Sequence, residues 1–404
     1  MKYEKGLIIT ILASMFIAFF YANFQRETTE PTKGAADYYW LYQKFKGETP
    51  DAEVRWPYNK RPGTPYVASL LPFQASTSFR MVNILSCLIC IIFSYFSLRE
   101  IGLNKVGTLA CLMPLAFFEW SPLRSTQMYP FHCDPPASML YAIAGYCVVR
   151  RNYFFAAAVL AVACLFRESS FFYAIILGLM FFALNRKAYA KSAIVLLICL
   201  AGAALNYAFQ VPLWRPTDAS LNTPTTYGTL AYSGNQFEVI KYFLKYRLGP
   251  PHFGIVSSIT AILMCVAPFL VFLKPKETYF ELFKQPAVFI SLAWLIAGGL
   301  MSTFGGAETD RIFYAGYPLY LLLIAYLIKE QNNLYTWGVI FVGLTTHSFL
   351  AVSTEDPHWG WLPSLADSIT HRRIPLTVTY ITFWCGALII CQIVRRLNNE
   401  KFRS

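Results

Sequence analysis

Charge is scarce in this chain. Only 14% of its 404 residues are Asp, Glu, Lys or Arg, where a soluble domain carries about 25%, so a solvated globular surface is excluded for most of its length. Cysteine is present but builds no framework. Cys87, Cys90, Cys111, Cys147, Cys164, Cys199, Cys265, Cys385 and Cys391 all fall inside apolar runs, and Cys133 stands in a polar stretch with no cysteine near it. That scatter excludes a disulfide scaffold or a zinc cluster and predicts small buried thiols. The chain shows no internal repeat and no low-complexity segment, and nothing marks a separate soluble module. One integrated domain over residues 1–404 is expected.

What is abundant is apolar sequence: 56% of the residues are hydrophobic and 17% aromatic. Apolar runs of about 17–20 residues recur from end to end, the signal for transmembrane helices. Spans are predicted at 6–24, 79–97, 106–120, 135–149, 153–167, 169–184, 192–210, 253–273, 286–304, 312–328, 334–352 and 376–394. The first, "GLIITILASMFIAFFYANF", is too long for a signal-peptide core and lacks a small-x-small cleavage site, so it is expected to be retained. The fold class expected is an all-α polytopic membrane protein of about 12 transmembrane helices.

Twelve spans place both termini on one side. Short loops such as "RRN", "NRKAYAK" and "KPKETYFELFKQ", with both ends of the chain, carry a net charge of +11 on that side, against +1 for the remainder. Such asymmetry follows the positive-inside rule. The overall charge of +12 therefore reports topology and not a nucleic-acid partner, and both termini are expected in the cytoplasm.

The long loops, 25–78, 121–134, 211–252, 305–311 and 353–375, then lie on the outer side, where function is expected. The first is the longest. Its "ADYYWLYQKFKG" crowds aromatics and Leu at 38–42 and 45, followed by Lys44 and Lys46, and predicts a short helix in the membrane interface with rings at headgroup depth. "WPYNKRPGTPYVASLLPF" follows, with four prolines and the pair Lys60 and Arg61, and predicts a stiffened extended segment feeding the second span.

Charges close to a bilayer are costly and point to function. Five groups stand near the outer span ends: Asp37; Glu119, Arg124, His132 and Asp134; Arg167 and Glu168 in "CLFRESSFF"; Glu308, Asp310 and Arg311; and Glu355, Asp356 and His358 beside Trp359 and Trp361. Each also has a plainer reading. Asp134, before two prolines, suits a helix N-terminus. Arg167 and Glu168 suit an ion pair marking a turn, residues 308–311 a solvated loop, and the Trp-rich stretch an interfacial anchor. His132 and Asp134 are two ligands, too few for a metal site. Taken together the five converge on one side of a bundle. A carboxylate there serves to take a proton from an attacking hydroxyl, an arginine to hold a leaving phosphate, and a groove between helices to hold a polyprenyl chain.

In this order and spacing the chain resembles the polytopic, lipid-linked-sugar-dependent glycosyltransferases of the GT-C superfamily, among them the aminoarabinose transferase of lipid A and protein mannosyltransferase-like proteins. Asp37 in "AADYYW" is similar to that family's acid after the first helix, "KRPGTPYVASLLP" to its R-P-x-x-P-like segment, "HCDPPASMLYAIAGY" to its acid before proline, and "FRESSFFYAI" to its R-E-[ST]. The match covers residues 1–210, with weaker support at Arg311, and divides the chain into a catalytic core (1–210) and further helices (211–404). The tryptophan-rich signature of oligosaccharyltransferases and a large C-terminal soluble domain are missing.

The resemblance implies an inverting transfer of a sugar from a polyprenyl-phosphate donor to a glycan, lipid or protein acceptor outside the cytoplasm, in a bacterial inner membrane. It implies Asp37 as general base and Asp134 as a positioning acid. Lys60, Arg61, Arg167, Glu168, Arg311 and His132 would serve substrate and phosphate. It requires no organic cofactor and leaves a divalent metal open. An O-antigen-type polymerase or ligase is the nearest alternative, though the longest loop comes first here. A lipid or solute transporter is the other, though polar groups deep in the spans are few.

Overall fold

The computed structural model describes residues 35–49, 54, 58–117, 121–123, 126, 131–185, 188–211, 285–304 and 313–329. Among these the chain is helical and contains no strand. A short helix, α1 (Ala35–Lys46), carries Asp37 in its first turn and Lys44 and Lys46 in its last, each sign on the terminus that its dipole favours. A 3₁₀ turn, Tyr58–Lys60, leads to α2 (Gly63–Ser69).

The bundle follows. It comprises α3 (Ala75–Ile101), α4 (Lys105–Leu112), α5 (Pro114–Phe117), α6 (Asp134–Val149), α7 (Tyr153–Ala163), α8 (Ser170–Leu184), α9 (Tyr189–Ala208), α10 (Pro286–Phe304) and α11 (Tyr317–Ile328). Two of these, α3 with 27 residues and α9 with 20, are long and apolar enough to cross a membrane; α7, α8, α10 and α11 are apolar with shorter qualifying stretches. Helices thus stand over eight of the twelve predicted spans. Those at 6–24, 253–273, 334–352 and 376–394 lie outside the described residues.

Local chemistry sets the ends of the helices. α3 stops at Gly102, whose φ of 99° is a left-handed conformation that only glycine adopts without strain. Asn104 opens α4 by accepting from the Gly107 N–H at 2.7 Å, and Asn152 opens α7 by accepting from Phe155, both N-caps of ordinary chemistry. The single span expected at 106–120 is broken at Met113, because Pro114 has no N–H for the next helical bond. The span expected at 153–167 ends early, at Ala163, and its last residues turn instead toward α2.

α6 runs against α3 and turns back through Arg150–Asn152 into α7, and α8 and α9 pack beside α7. α11 joins α6, α3 and α10. Small residues make the close crossings: Ala137, Ala144, Ala156, Ala157 and Ala163 are fully buried, and helices in an apolar surrounding gain by such close approach. Between them lie large rings. Trp294 donates to the Tyr173 carbonyl at 2.9 Å, and the Tyr173 and Tyr320 hydroxyls bond at 2.5 Å.

The alternation of helix directions gives the bundle two ends. At one, Arg150 pairs with Glu100 at 2.7 Å, near Arg151 and Lys105. At the other, α1 and α2 form a cap over a second core of Tyr38, Leu41, Tyr42, Val54, Ala68, Phe79, Phe131, Cys133 and Val211.

The cap differs in two respects from the sequence-based expectation. Tyr38, Leu41 and Tyr42 face protein, not headgroups, and among the rings of α1 only Trp40 is largely exposed. Burying each such side chain stabilises the cap by about 1.5–3 kcal/mol, which the amphipathic pattern alone does not distinguish from lipid contact. The proline-rich stretch forms α2 rather than an extended segment, since Pro65 lies within the first turn, where its missing N–H costs nothing. Besides Trp40, the exposed large apolar residues of the cap are on α2 and the turn after it: Tyr66, Val67, Leu70 and Phe73.

Candidate functional site

The cap is assembled from four separated stretches, the described parts of 35–73 (35–49, 54 and 58–73), 131–134, 164–169 and 206–211, and the backbone ties them. Gly63 donates to the Leu165 carbonyl at 2.9 Å, and Val211 to the Asn59 carbonyl at 3.0 Å. Asn59 returns the bond to the Val211 carbonyl at 3.3 Å. Asn206, near the end of α9, donates to the carbonyls of Lys60 (2.7 Å) and Cys164 (2.6 Å). Asn83 of α3 holds the His132 carbonyl at 3.0 Å.

On this frame the sequence-predicted side chains are arranged as two ion pairs. Arg61 faces Glu168 as a fork, its Nε donating to Oε2 at 2.6 Å and its Nη2 to Oε1 at 2.5 Å. The remaining Nη1 donates to the Tyr38 hydroxyl at 2.9 Å, and the Tyr58 ring lies 5.7 Å from the guanidinium carbon. Tyr38 and Tyr58 themselves meet edge to face at 5.1 Å. Arg167 turns the other way and pairs with Asp134, both almost fully buried. The expected Arg167–Glu168 ion pair is therefore not formed. Neighbours in a turn project to different sides, and each finds its counter-charge on another element.

Asp134 is the first residue of α6. Prolines 135 and 136 remove two of the N–H donors that a helix start normally offers to an acid, and Arg167 supplies donors in their place. Cys133, one residue before Asp134, is buried, and the Arg61 and Asp134 charges act on its thiol in opposite directions. Burial pushes that thiol up to about 12, so it stays protonated at neutral pH.

Charge balance in the cap follows from the same contacts. Burial alone would raise the Glu168 carboxyl, but the Arg61 charge and hydrogen bonds, with help from Arg167, hold it below the usual carboxylate range. Burial likewise works against the Arg61 charge, and Glu168 and Tyr38 reverse the effect and raise it well above its ordinary value. Lys60 is half-buried, and desolvation lowers its ammonium despite the attraction of Glu168.

Asp37 is buried, 4% exposed, one residue before Tyr38. His132 is buried two residues before Asp134. Seven of the eight predicted site residues, Asp37, Lys60, Arg61, His132, Asp134, Arg167 and Glu168, thus belong to one cap; Arg311 lies outside the described residues, as do Glu119, Arg124, Glu308, Asp310, Glu355, Asp356 and His358. Sequence reasoning missed Tyr38, Tyr58, Asn59 and Asn206. Only Asn206 carries a usable signal, as a lone amide in the apolar run "AGAALNYAF". The arrangement combines one guanidinium held by two tyrosines, a half-buried ammonium and buried acids on an apolar bundle, a set suited to binding an anionic headgroup.

In comparisons with known proteins, no family model matches the chain and no curated protein matches it.

Proposed function

We propose that this chain is a polytopic membrane glycosyltransferase of GT-C type, with about twelve spans, cytoplasmic termini and its cap on the outer face of a bacterial inner membrane. It moves a sugar from a polyprenyl-phosphate donor to a hydroxyl of a glycan, lipid or protein acceptor. One observation carries this reading: acids and arginines from three distant stretches, 37–61, 134 and 167–168, come to a single end of an apolar helical bundle.

In the reaction, Asp37 takes the proton of the acceptor hydroxyl as its oxygen attacks the anomeric carbon. The bond from that carbon to the phosphate oxygen breaks, and polyprenyl phosphate leaves with the electron pair, so configuration inverts. Cationic groups of the cap stabilise the charge that grows on the leaving phosphate, the interaction worth most in such a transition state. Asp134 is bound to Arg167, so its part is to position the α6 end and what rests on it rather than to exchange a proton.

The test uses purified protein in nanodiscs with a panel of polyprenyl-phosphate sugars, reading release of polyprenyl phosphate. Wild type releases it, and Asp37→Asn retains donor binding while turnover falls by about 10²-fold or more, the scale of a lost general base. Unchanged turnover in Asp37→Asn removes the base from that residue. Failure of every donor to bind overturns the transferase reading.

A further inference from the structure

The two ion pairs of the cap look alike in sequence but differ in access. The Arg167 and Asp134 side chains are 3% and 5% exposed, and this pair is sealed in the fold. Those of Arg61 and Glu168 are 11% and 31% exposed, and the opening is on the carboxylate side. A ligand arriving from solvent or from the bilayer surface meets Glu168, not Arg167.

Arg61 keeps its place independently of Glu168. Tyr38 accepts from Nη1 and the guanidinium carbon lies over the Tyr58 ring, 5.7 Å from its centroid, while the backbone N–H of Arg61 is fixed on the Tyr58 carbonyl at 3.0 Å. The two donors aimed at Glu168, Nε and Nη2, form the fork that also fits two oxygens of a phosphate. Lys60 is next in the chain, and Arg167 stands behind. Three cations therefore act on a single carboxylate that is itself partly open.

Resting on the transferase reading above, we infer that Glu168 is the internal occupant of a phosphate seat built by Arg61, Lys60, Tyr38 and Tyr58, and that a lipid-borne phosphate binds by displacing its carboxylate. The seat takes a phosphate ester carried on an isoprenyl chain. Glu168 has somewhere to go, because it belongs to the connection between α7 and α8 and already touches solvent. The exchange leaves no buried charge unpaired at either stage: Arg61 is neutralised first by carboxylate, then by phosphate. The sealed pair Arg167–Asp134 takes no part and holds the connection still while Glu168 moves.

The experiment measures binding of farnesyl phosphate, inorganic phosphate and farnesol to the full chain in phosphatidylcholine nanodiscs. Wild type binds farnesyl phosphate, and neither farnesol nor inorganic phosphate matches it. Glu168→Gln, which keeps shape but gives up the competing charge, binds farnesyl phosphate about ten-fold tighter, the equivalent of one charge-assisted hydrogen bond no longer opposed. Glu168→Asp, whose shorter carboxylate cannot span the fork, also binds tighter and serves if the amide variant does not fold. Arg61→Met loses binding in every background.

Equal or weaker binding in both Glu168 variants overturns the displacement. Inorganic phosphate binding as tightly as farnesyl phosphate overturns the lipid-borne source. The two readings separate cleanly: tighter binding in Glu168→Gln without turnover on any sugar donor supports the seat and sinks the transferase. Turnover with unchanged affinity in the Glu168 variants sinks the seat and leaves the transferase standing.

Discussion

At the scale of single residues, the sealed pair of Arg167 and Asp134 gives the clearest energetic expectation. Removing one partner leaves the other charged and buried, and Arg167→Met or Asp134→Leu alone destabilises by about 3–5 kcal/mol. Replacing both together exchanges an ion pair for apolar packing, so the double variant recovers that loss and matches wild type or exceeds it by about 1–4 kcal/mol. Thermal unfolding of the four proteins in nanodiscs measures the coupling, and additive losses would show that the two side chains do not depend on each other. Turnover of the double variant then separates structure from chemistry: a folded and active protein assigns Asp134 to positioning, and a folded but inactive one gives the pair a direct part in the reaction. The sequence made the types of these residues legible but not their partners. Arg167 and Glu168 are adjacent and of opposite sign, which invites pairing them with each other. Which neighbour each one reaches depends on where α2 and α6 end, and these ends are fixed by contacts 33 and 107 residues away in the chain.

At the scale of elements, the helices of the bundle were legible because an apolar run of span length has few other ways to satisfy its backbone, whereas the cap was not. Aromatics crowded into "ADYYWLYQKF" suit a lipid interface and a protein core equally, and only the presence of α2, Phe79 and Phe131 decides for the core. The docking of α2 depends on one small residue. A Cβ on Gly63 would lie 2.9 Å from the Phe166 ring, closer than carbon atoms pack, and the Gly63 N–H is the donor to Leu165. Gly63→Ala therefore pushes α2 off the 164–169 connection, with a cost of about 1–3 kcal/mol as for other overpacked sites. It also loosens Arg61 against Glu168. Hydrogen exchange over residues 58–69 reads the change directly. Protection equal to wild type there would mean that α2 is held by its apolar face alone.

At the scale of the whole molecule, the helix directions set Gly47 and Arg151 at opposite ends of the bundle. If the bundle spans the bilayer, fusions of a reporter active only outside the cytoplasm give activity when joined after Gly47 and none when joined after Arg151. Activity at both sites denies the span between them, and the reverse pattern turns the proposed topology over. The charge asymmetry of the loops is what assigns the two ends to the two faces, and the fusions test that assignment. The meeting of four stretches at one end was only partly readable, since loop length says where chemistry has room and not which loops touch. The cap has a further consequence, and it concerns time. Asn59 meets Val211, 152 residues later in the chain, so α1 and α2 are synthesised long before the last stretch that closes the cap exists. At a translation rate of about 5–20 residues per second the delay is on the order of 10–30 s. During that interval Tyr38, Leu41 and Tyr42 have only the cover that α2, Phe79 and Phe131 supply, and the cap closes fully only as α9 completes, which makes the nascent first loop a segment in need of a temporary escort.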